Sequence, residues 1–558
     1  MSRRLTILAI LLLTFACDRP ETARTDTAAP AQAAATIDDG RPQEGGTLVR
    51  RLESDIVTVN PVTVSTIYDR WVVEYLFTPL IYLDQDLQPI PGLAESWDVS
   101  DDGRVYRFEL NEKATFSDGT PVLASDVLFT LQKIFDPKSE AVQLVSAFEY
   151  LDLAKTKVID DHTIEIAFRE PLASQLIRFN DVNVIPQHVY QKGNFRDDYN
   201  VTAVGSGPYR LVKREPGKEL ILERREDFWG QKPPLQRVVL KVIGDHGTAW
   251  SALRRGDIDE TRMASDVWLR ESTNPELTKT IDFKRFYTLS YNFVAWNGRN
   301  DLLKDKRVRR ALAMCIPTEQ VIQQLYHGTA RAMTGPFVPD DFAYNPTVPA
   351  LRYDPVGARQ LFTTAGWADS NKDGVLDKAG KPFKLEMVMM SGSATTTQFA
   401  QMMQAEMKRV GVDLELATLE PSVAIQRILG GNYQAAYLGF DLDNDPDPFN
   451  ILHSSQFPPR GQNFVYYSNP EMDRLIETAR KELDRSKRKD LYWRIHEIVA
   501  DEQPYTWTIQ VSSKWGLSKR VRGVELSRGY GLLRWYPGVL SWWIPRDQRV
   551  HDRPAPRP

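Results

Sequence analysis

The chain has 558 residues, with 70 Lys and Arg against 74 Asp and Glu, a formal net charge of −4 and two cysteines. That balance argues against a nucleic-acid partner, which demands a strongly basic face, and a chain this long buries enough core to need no disulfide. The seven histidines (His162, His188, His246, His327, His453, His496 and His551) never fall at a zinc-ligand spacing such as HExxH.

The first element is an N-terminal leader. Arg3 and Arg4 precede an apolar-to-small run from Leu5 to Phe15, and Ala16 stands before Cys17. About eleven residues are too few for a bilayer core of about 30 Å, which takes about twenty, so residues 1–17 read as a secretory signal peptide. Leu13-Thr14-Phe15-Ala16-Cys17 resembles a bacterial lipobox, which implies a lipid on Cys17 as the first residue of the mature chain. Asp18 directly after it implies retention at the inner membrane. Removing Arg3 and Arg4 leaves 68 basic against 74 acidic residues, a formal charge of −6. Residues 18–45 are Ala, Thr, Pro, Gln and Asp without periodicity, the composition of a flexible tether. No later segment approaches eighteen consecutive apolar residues.

Alternating strands follow at Val105–Leu110, Thr163–Phe168 and Glu219–Glu223, separated by turn signals such as Asp101-Asp102-Gly103. Gly205-Ser206-Gly207-Pro208 is glycine-rich, but Pro208 lacks the amide that a phosphate cradle uses, so a tight turn is expected. Cys315 sits on an apolar helix face and reads as a structural thiol. Asp354-Pro355 and Asn469-Pro470 place a cap before a first-turn proline. Asp369–Gly374 matches the opening of a calcium loop, yet Gly380 stands where a bidentate Glu belongs; Asp377 is a substitute in a shorter loop, and a solvated turn is the preferred reading. Strand patterns at Phe383–Met389, Val412–Leu419 and Gln434–Phe440 alternate with helical spacing at Phe399–Val410, Met472–Ala479 and Leu491–Val499, a βαβ rhythm. A strand-rich half before an α/β half predicts two lobes with a ligand cleft between them. The carboxylates Asp441, Asp443, Asp445 and Asp447 follow the last of these strands, at the end where α/β sheets bind ligands. They read equally as an exposed loop of Asp-Pro turns. No GxSxG, GxxxxGK[ST] or GxGxxG motif occurs.

Specific blocks carry a family resemblance. Leu93-Ala94-Glu95-Ser96-Trp97, Phe116-Ser117-Asp118-Gly119-Thr120-Pro121, Val204–Tyr209, Asp227-Phe228-Trp229-Gly230, Gly256-Asp257-Ile258-Asp259, Val308–Ala313, Ala365-Gly366-Trp367 and Tyr467–Asp473 appear in order between about residues 46 and 545. In these the chain resembles the oligopeptide- and dipeptide-binding receptors of ABC importers, extracellular solute-binding protein family 5. The resemblance implies an α/β, two-lobed periplasmic binding protein fold that closes about a hinge. It implies lobe I over 46–300 with an extra subdomain at about 88–204, lobe II over 301–507, a return over 508–545 and a disordered tail over 546–558. It implies no catalysis, cofactor or metal, a monomer, a peptide or peptide-like ligand, and delivery to a permease and ATPase from the periplasmic face of the inner membrane. Peptide-binding members hold the ligand's α-ammonium with an Asp past a Gly-Trp pair; counting from Gly439-Phe440 that residue is Asp443, and counting back from Asp447-Pro448 it is Asn444. Asp443 is the expected anchor, with Phe440, Asp441 and Asp445 beside it, and Tyr505, Trp507 and Tyr437 as aromatic cleft positions. Receptors for nickel complexes, haem, oligosaccharides or opines are the alternatives within the family. A periplasmic lipoprotein hydrolase using Asp441–Asp447 is the alternative outside it.

Overall fold

The chain lays down its elements so that three separate sheets each gather strands from distant parts of the sequence. The computed structural model describes residues 40–552; the expected signal peptide, the lipidation site Cys17 and most of the tether lie outside them. Strand β1 (Thr47–Leu52) is followed by helix α1 (Ile67–Leu76), which Thr66 starts by accepting a hydrogen bond from the Asp69 amide at 3.1 Å while Asp69 caps back. The chain then builds a subdomain from β2 (Ala94–Val99), β3 (Val105–Leu110), β4 (Lys157–Val158) and β5 (Thr163–Ala167), an antiparallel sheet of order β2-β3-β5-β4. It returns through β6 (Tyr209–Glu215), β7 (Glu219–Arg224) and β8 (Arg237–Val242), and β1 pairs in parallel with β8 to give the order β1-β8-β7-β6. Strands β9 (Glu260–Arg262) and β10 (Ile281–Phe286) complete this side.

The second lobe is a six-stranded sheet: β11 (Ser290–Trp296), β12 (Ala330–Ala332), β13 (Lys384–Met390), β14 (Asp413–Leu419), β15 (Ala435–Asp441) and β16 (Tyr505–Val511), in the order β12-β16-β11-β15-β13-β14. Helix α2 (Ala394–Arg409) crosses between the parallel strands β13 and β14. Helices α3 (Pro470–Lys481) and α4 (Arg485–Glu502) follow β15, and their caps are those the sequence predicts or the same kind: Asn469 accepts from the Glu471 amide at 2.9 Å and Asp484 from the Ser486 amide at 2.8 Å. Both faces of the sheet are buried. Val294, Trp296, Ala435 and Tyr437 enter one apolar cluster while Phe293, Ala295, Ala436 and Leu438 enter the other. A sheet covered on both faces reads as continuous apolar strands, as these do.

Strand β17 (Ser513–Ser518) then lies between β9 and β10 in the first lobe. The crossings are therefore at residues 287–289 and at Ser512, not near 300 and 507 as expected. The reason is that β11 and β16 pair with each other inside the second sheet, so each belongs wholly to the second lobe.

Two further expectations change. The tail from Arg546 is not disordered as far as Asp552: residues 546–548 and 550–552 form short 3-10 turns, Asp552 accepts from the Thr47 hydroxyl at 2.6 Å, and Arg549 donates to the Glu44 carbonyl at 2.7 Å. The polar, proline-rich composition hid a docking held by arginine and backbone carbonyls. The same bonds fix the end of the expected tether, where Gly45 donates to the Pro234 carbonyl at 2.8 Å. Cys315 is fully buried, its thiol donating to the Ala311 carbonyl, and burial pushes its pKa up to about 12.

Candidate functional site

Strand β15 ends at Asp441, paired with Ser290 at the edge of the crossing. The loop beyond it hangs on that crossing: the Leu442 amide donates to the Leu289 carbonyl at 2.7 Å, and the Leu289 amide to the Gly529 carbonyl at 2.9 Å. The four aspartates of this loop have different fates. Asp447 is bound by the Arg480 guanidinium at 2.8 Å and Asp445 by Arg488 at 2.8 Å, both pairs largely buried. Burial pushes the Asp445 carboxyl up to about 6, with Arg488 opposing it. Asp441 and Asp443 are exposed and, among the described residues, accept no hydrogen bond and form no ion pair. Asn444 accepts a hydrogen bond from the Tyr530 hydroxyl.

The first lobe presents a cleft of about 850 Å³ including its mouth, with Glu74, Tyr82, Asp181, Arg534 and Trp535 among its walls. Arg534 lies over the Tyr530 ring at 4.4 Å and 3.7 Å from Asp181. Burial works against its charge, but Tyr530, Asp181, Glu74 and Asp443 offset it, and its pKa stands above the ordinary arginine value. Burial pushes the Glu74 carboxyl up, against Arg534, Arg50 and Arg70. Tyr82 and Tyr536 stack at 4.3 Å on one wall. The cleft thus offers a mostly apolar volume with paired charges inside it. Asp443, whose charge bears on Tyr530 and Arg534, is a free carboxylate of the kind that a desolvated cation needs.

Phe440, Asp441, Asp443 and Asp445 line one cavity, as expected of neighbours on one loop. The three aromatic candidates do not join them. Tyr437 is buried against Phe399 of α2 at 4.5 Å, on the far face of the sheet. Tyr505 is buried with its hydroxyl donating to the Ile451 carbonyl at 3.2 Å, and Trp507 is buried beside it at 5.5 Å. The correction has a simple cause: in a sheet buried on both faces, aromatic strand residues fill the core. Tyr505 still bears on the site indirectly, because it packs on Phe293 at 5.1 Å and Phe293 packs on Phe440 at 4.7 Å. His453 is buried and bonded to Ser455 and Glu477. The Asp369–Asp377 loop turns its carboxylates onto itself, Asp369 accepting from the Asp373 and Gly374 amides and Asp377 from Ser370. Among the described residues no group of three or more His, Cys, Asp or Glu side chains is placed to hold a metal, and no helix is long and apolar enough to cross a membrane.

Tyr530, Arg534 and Asp181 were not singled out from sequence. The one local signal is the glycine- and aromatic-rich stretch Gly529–Gly538, in which Arg534 adopts a left-handed backbone with φ 59°. Also unforeseen is a clasp between the lobes. Arg480 of α3, besides holding Asp447, donates to Glu149 at 2.9 Å and to the Tyr150 hydroxyl at 3.2 Å in the subdomain, while its own carbonyl accepts from the Ala173 amide at 2.7 Å.

Comparison with known proteins places this geometry. The model of the family described as "Bacterial extracellular solute-binding proteins, family 5 Middle" matches residues 88–463. The chain is 28% identical over 525 residues to the oligopeptide-binding protein AppA of Bacillus subtilis (strain 168), covering 90% of this chain and 93% of that one. The structure of AppA in complex with a nonapeptide superposes with a TM-score of 0.73 at 25% identity, over 90% of this chain and all of that one. NikZ of Campylobacter jejuni, in complex with Ni(L-His), gives a TM-score of 0.75 at 25% identity, over 89% and 99%. The ABC transporter substrate binding protein CtaP of Listeria monocytogenes shares the fold with a TM-score of 0.79 at 23% identity, over 90% and 100%.

Proposed function

The chain belongs to the bacterial extracellular solute-binding proteins of family 5, a family of binding proteins, and from that premise we propose that it is the peptide receptor of an ABC importer. It captures di- to oligopeptides between its lobes and hands them unchanged to a membrane permease with its ATPase. Cys17 carries the lipid that holds it at the periplasmic face of the inner membrane. The α-ammonium of the ligand is anchored by Asp443. The observation that carries this reading is the state of Asp443: of the four aspartates in its loop, Asp445 and Asp447 are consumed by arginines, and of the two left unpaired, Asp443 is the one whose charge bears on Tyr530 and Arg534 of the first lobe. The same commitment of Asp445 and Asp447 takes two of the four carboxylates out of reach as a general acid or base, which supports binding over hydrolysis. Domain closure with ligand favouring the closed state supplies the capture step.

Calorimetric titration of matched peptides tests the anchor. Asp443→Ala weakens binding of free-amine peptides by roughly tenfold or more, the worth of a charge-assisted hydrogen bond, and leaves N-acetylated peptides nearly unaffected. Equal loss for both removes the ammonium anchor. Peptides recovered by mass spectrometry remain intact; cleavage removes the receptor reading. Cys17→Ser moves the protein from the membrane fraction to the soluble fraction on centrifugation, and retention in the membrane removes the lipid.

A further inference from the structure

The two crossings between the lobes are held from both sides, and by different chemistry. On the second-lobe side Gln510 of β16 is buried and donates its Nε2 to the Thr288 carbonyl at 2.7 Å. Its Oε1 accepts from Arg331 Nε at 2.6 Å, and the Arg331 guanidinium lies over the Tyr287 ring at 4.1 Å. Here the cation has its counter-ion, Asp340. The Ser512 amide and hydroxyl both donate to the Thr329 carbonyl, at 3.0 and 2.5 Å. From the first lobe, Lys514 of β17 donates its Nζ to the Ser512 carbonyl at 3.0 Å.

This second cation has no counter-ion. Lys514 is 3% exposed and forms no ion pair among the described residues. Strand β10 sets Arg285 directly opposite it, and the chain beyond β9 brings Met263, whose amide donates to the Lys514 carbonyl at 2.8 Å. Carboxylates of these two strands are engaged elsewhere, Asp282 with Lys284 at 2.8 Å and Glu260 with Arg50 at 2.6 Å. Across Ser512, the second lobe presents the uncharged Thr329. Burial, and then Arg285, push Lys514 down to about 8. Withdrawing the cation from water therefore costs more than its bond to the carbonyl returns.

We infer that Lys514 is an electrostatic brake on the hinge: its ammonium, seated without a counter-ion on the carbonyl of a one-residue crossing, works against lobe closure, and loss of its charge releases the brake. The arrangement described here is one in which the lobes touch, through Arg480, Glu149 and Tyr150. Bending at Ser512 shifts the carbonyl on which the ammonium sits and admits water to it. A hydrated lysine titrates at about 10.4, so the open arrangement binds the proton more tightly than the closed one. Closure is thus favoured progressively as pH rises from about 8 to about 10.4. Below about 8 both arrangements are protonated and the brake is fully on. It acts on the protein alone, whatever ligand the lobes enclose.

Small-angle scattering of the ligand-free full chain at pH 7.5, 9 and 10.5 tests this. The samples are the parent, the neutral variants K514M and K514Q, and K514R, which keeps its charge throughout. Circular dichroism at each pH selects the samples that are folded. The parent's radius of gyration falls as pH rises, with the closed-to-open ratio growing tenfold or more, roughly tenfold for each unit separating the two pKa values. The neutral variants show the smaller radius already at pH 7.5, K514R keeps the larger one at pH 10.5, and the radius of each variant is the same at all three values. A parent radius indifferent to pH overturns the brake. So does a neutral variant that matches the parent at pH 7.5, or one that responds to pH as the parent does.

Discussion

Residues one or two apart in the 441–447 loop have opposite electrical lives. Asp443 stays solvated and open, whereas Asp445 is withdrawn from water and held by Arg488. Breaking such a buried pair from the cationic side strands the carboxylate. Arg488→Met is expected to cost about 3–5 kcal/mol at pH 7.5, read by urea unfolding. Asp445 already titrates near 6 in the folded protein, above its ordinary value, so the folded state binds more protons than the unfolded one and this residue's contribution to stability falls as pH rises between about 4 and 6. Without Arg488 that window moves upward. The Met variant is therefore closer to the parent at pH 5 than at pH 7.5, and an equal deficit at both values contradicts the assignment.

At the scale of elements, α3 is the clasp. Its Arg480 is held from its own lobe by Asp447 and reaches Glu149 and Tyr150 in the subdomain with its remaining donors. Because Asp447 fixes the guanidinium, the inter-lobe arm can be removed alone. Glu149→Gln with Tyr150→Phe is expected to leave the melting temperature within a degree or two. Glu149 is partly exposed and its pairing is screened, so peptide affinity falls only two- to tenfold. Small-angle scattering of the ligand-saturated variant shows a larger radius of gyration than the parent; an unchanged radius and affinity refutes the clasp. The periodicities that define α2, α3, α4 and the strands β13 to β15 stand plainly in the sequence, because spacing and caps are local. The clasp does not, since residues 149 and 480 meet only through tertiary structure. The aromatic positions Tyr437, Tyr505 and Trp507 were misplaced for a related reason: a strand residue's identity says it is buried, and only the layers on either side say in what. Asp443 is legible as a candidate because its neighbours in the chain form the loop that presents it.

At the scale of the whole molecule, the two lobes join through the short crossings at 287–289 and Ser512, and the capture step proposed above bends the molecule there. Those crossings leave and re-enter the first lobe side by side, with Phe286 of β10 directly opposite Ser513 of β17. In the second lobe β11 and β16 are likewise adjacent and antiparallel. The joint is thus a double-stranded ribbon rather than two independent threads, which favours bending over twisting.

That ladder has a consequence for how the gene can be cut. The second lobe is an excursion launched between two positions that are already hydrogen-bonded neighbours, so its removal leaves ends that a two-residue hairpin turn rejoins. Replacing residues 287–512 by Asn-Gly supplies that turn and yields a chain expected to unfold cooperatively on its own, as judged by circular dichroism. Continuous, non-cooperative melting would show that the first lobe borrows its order from the second. A cooperative transition would make the excised site a natural port, where a reporter domain could be spliced in place of the missing half.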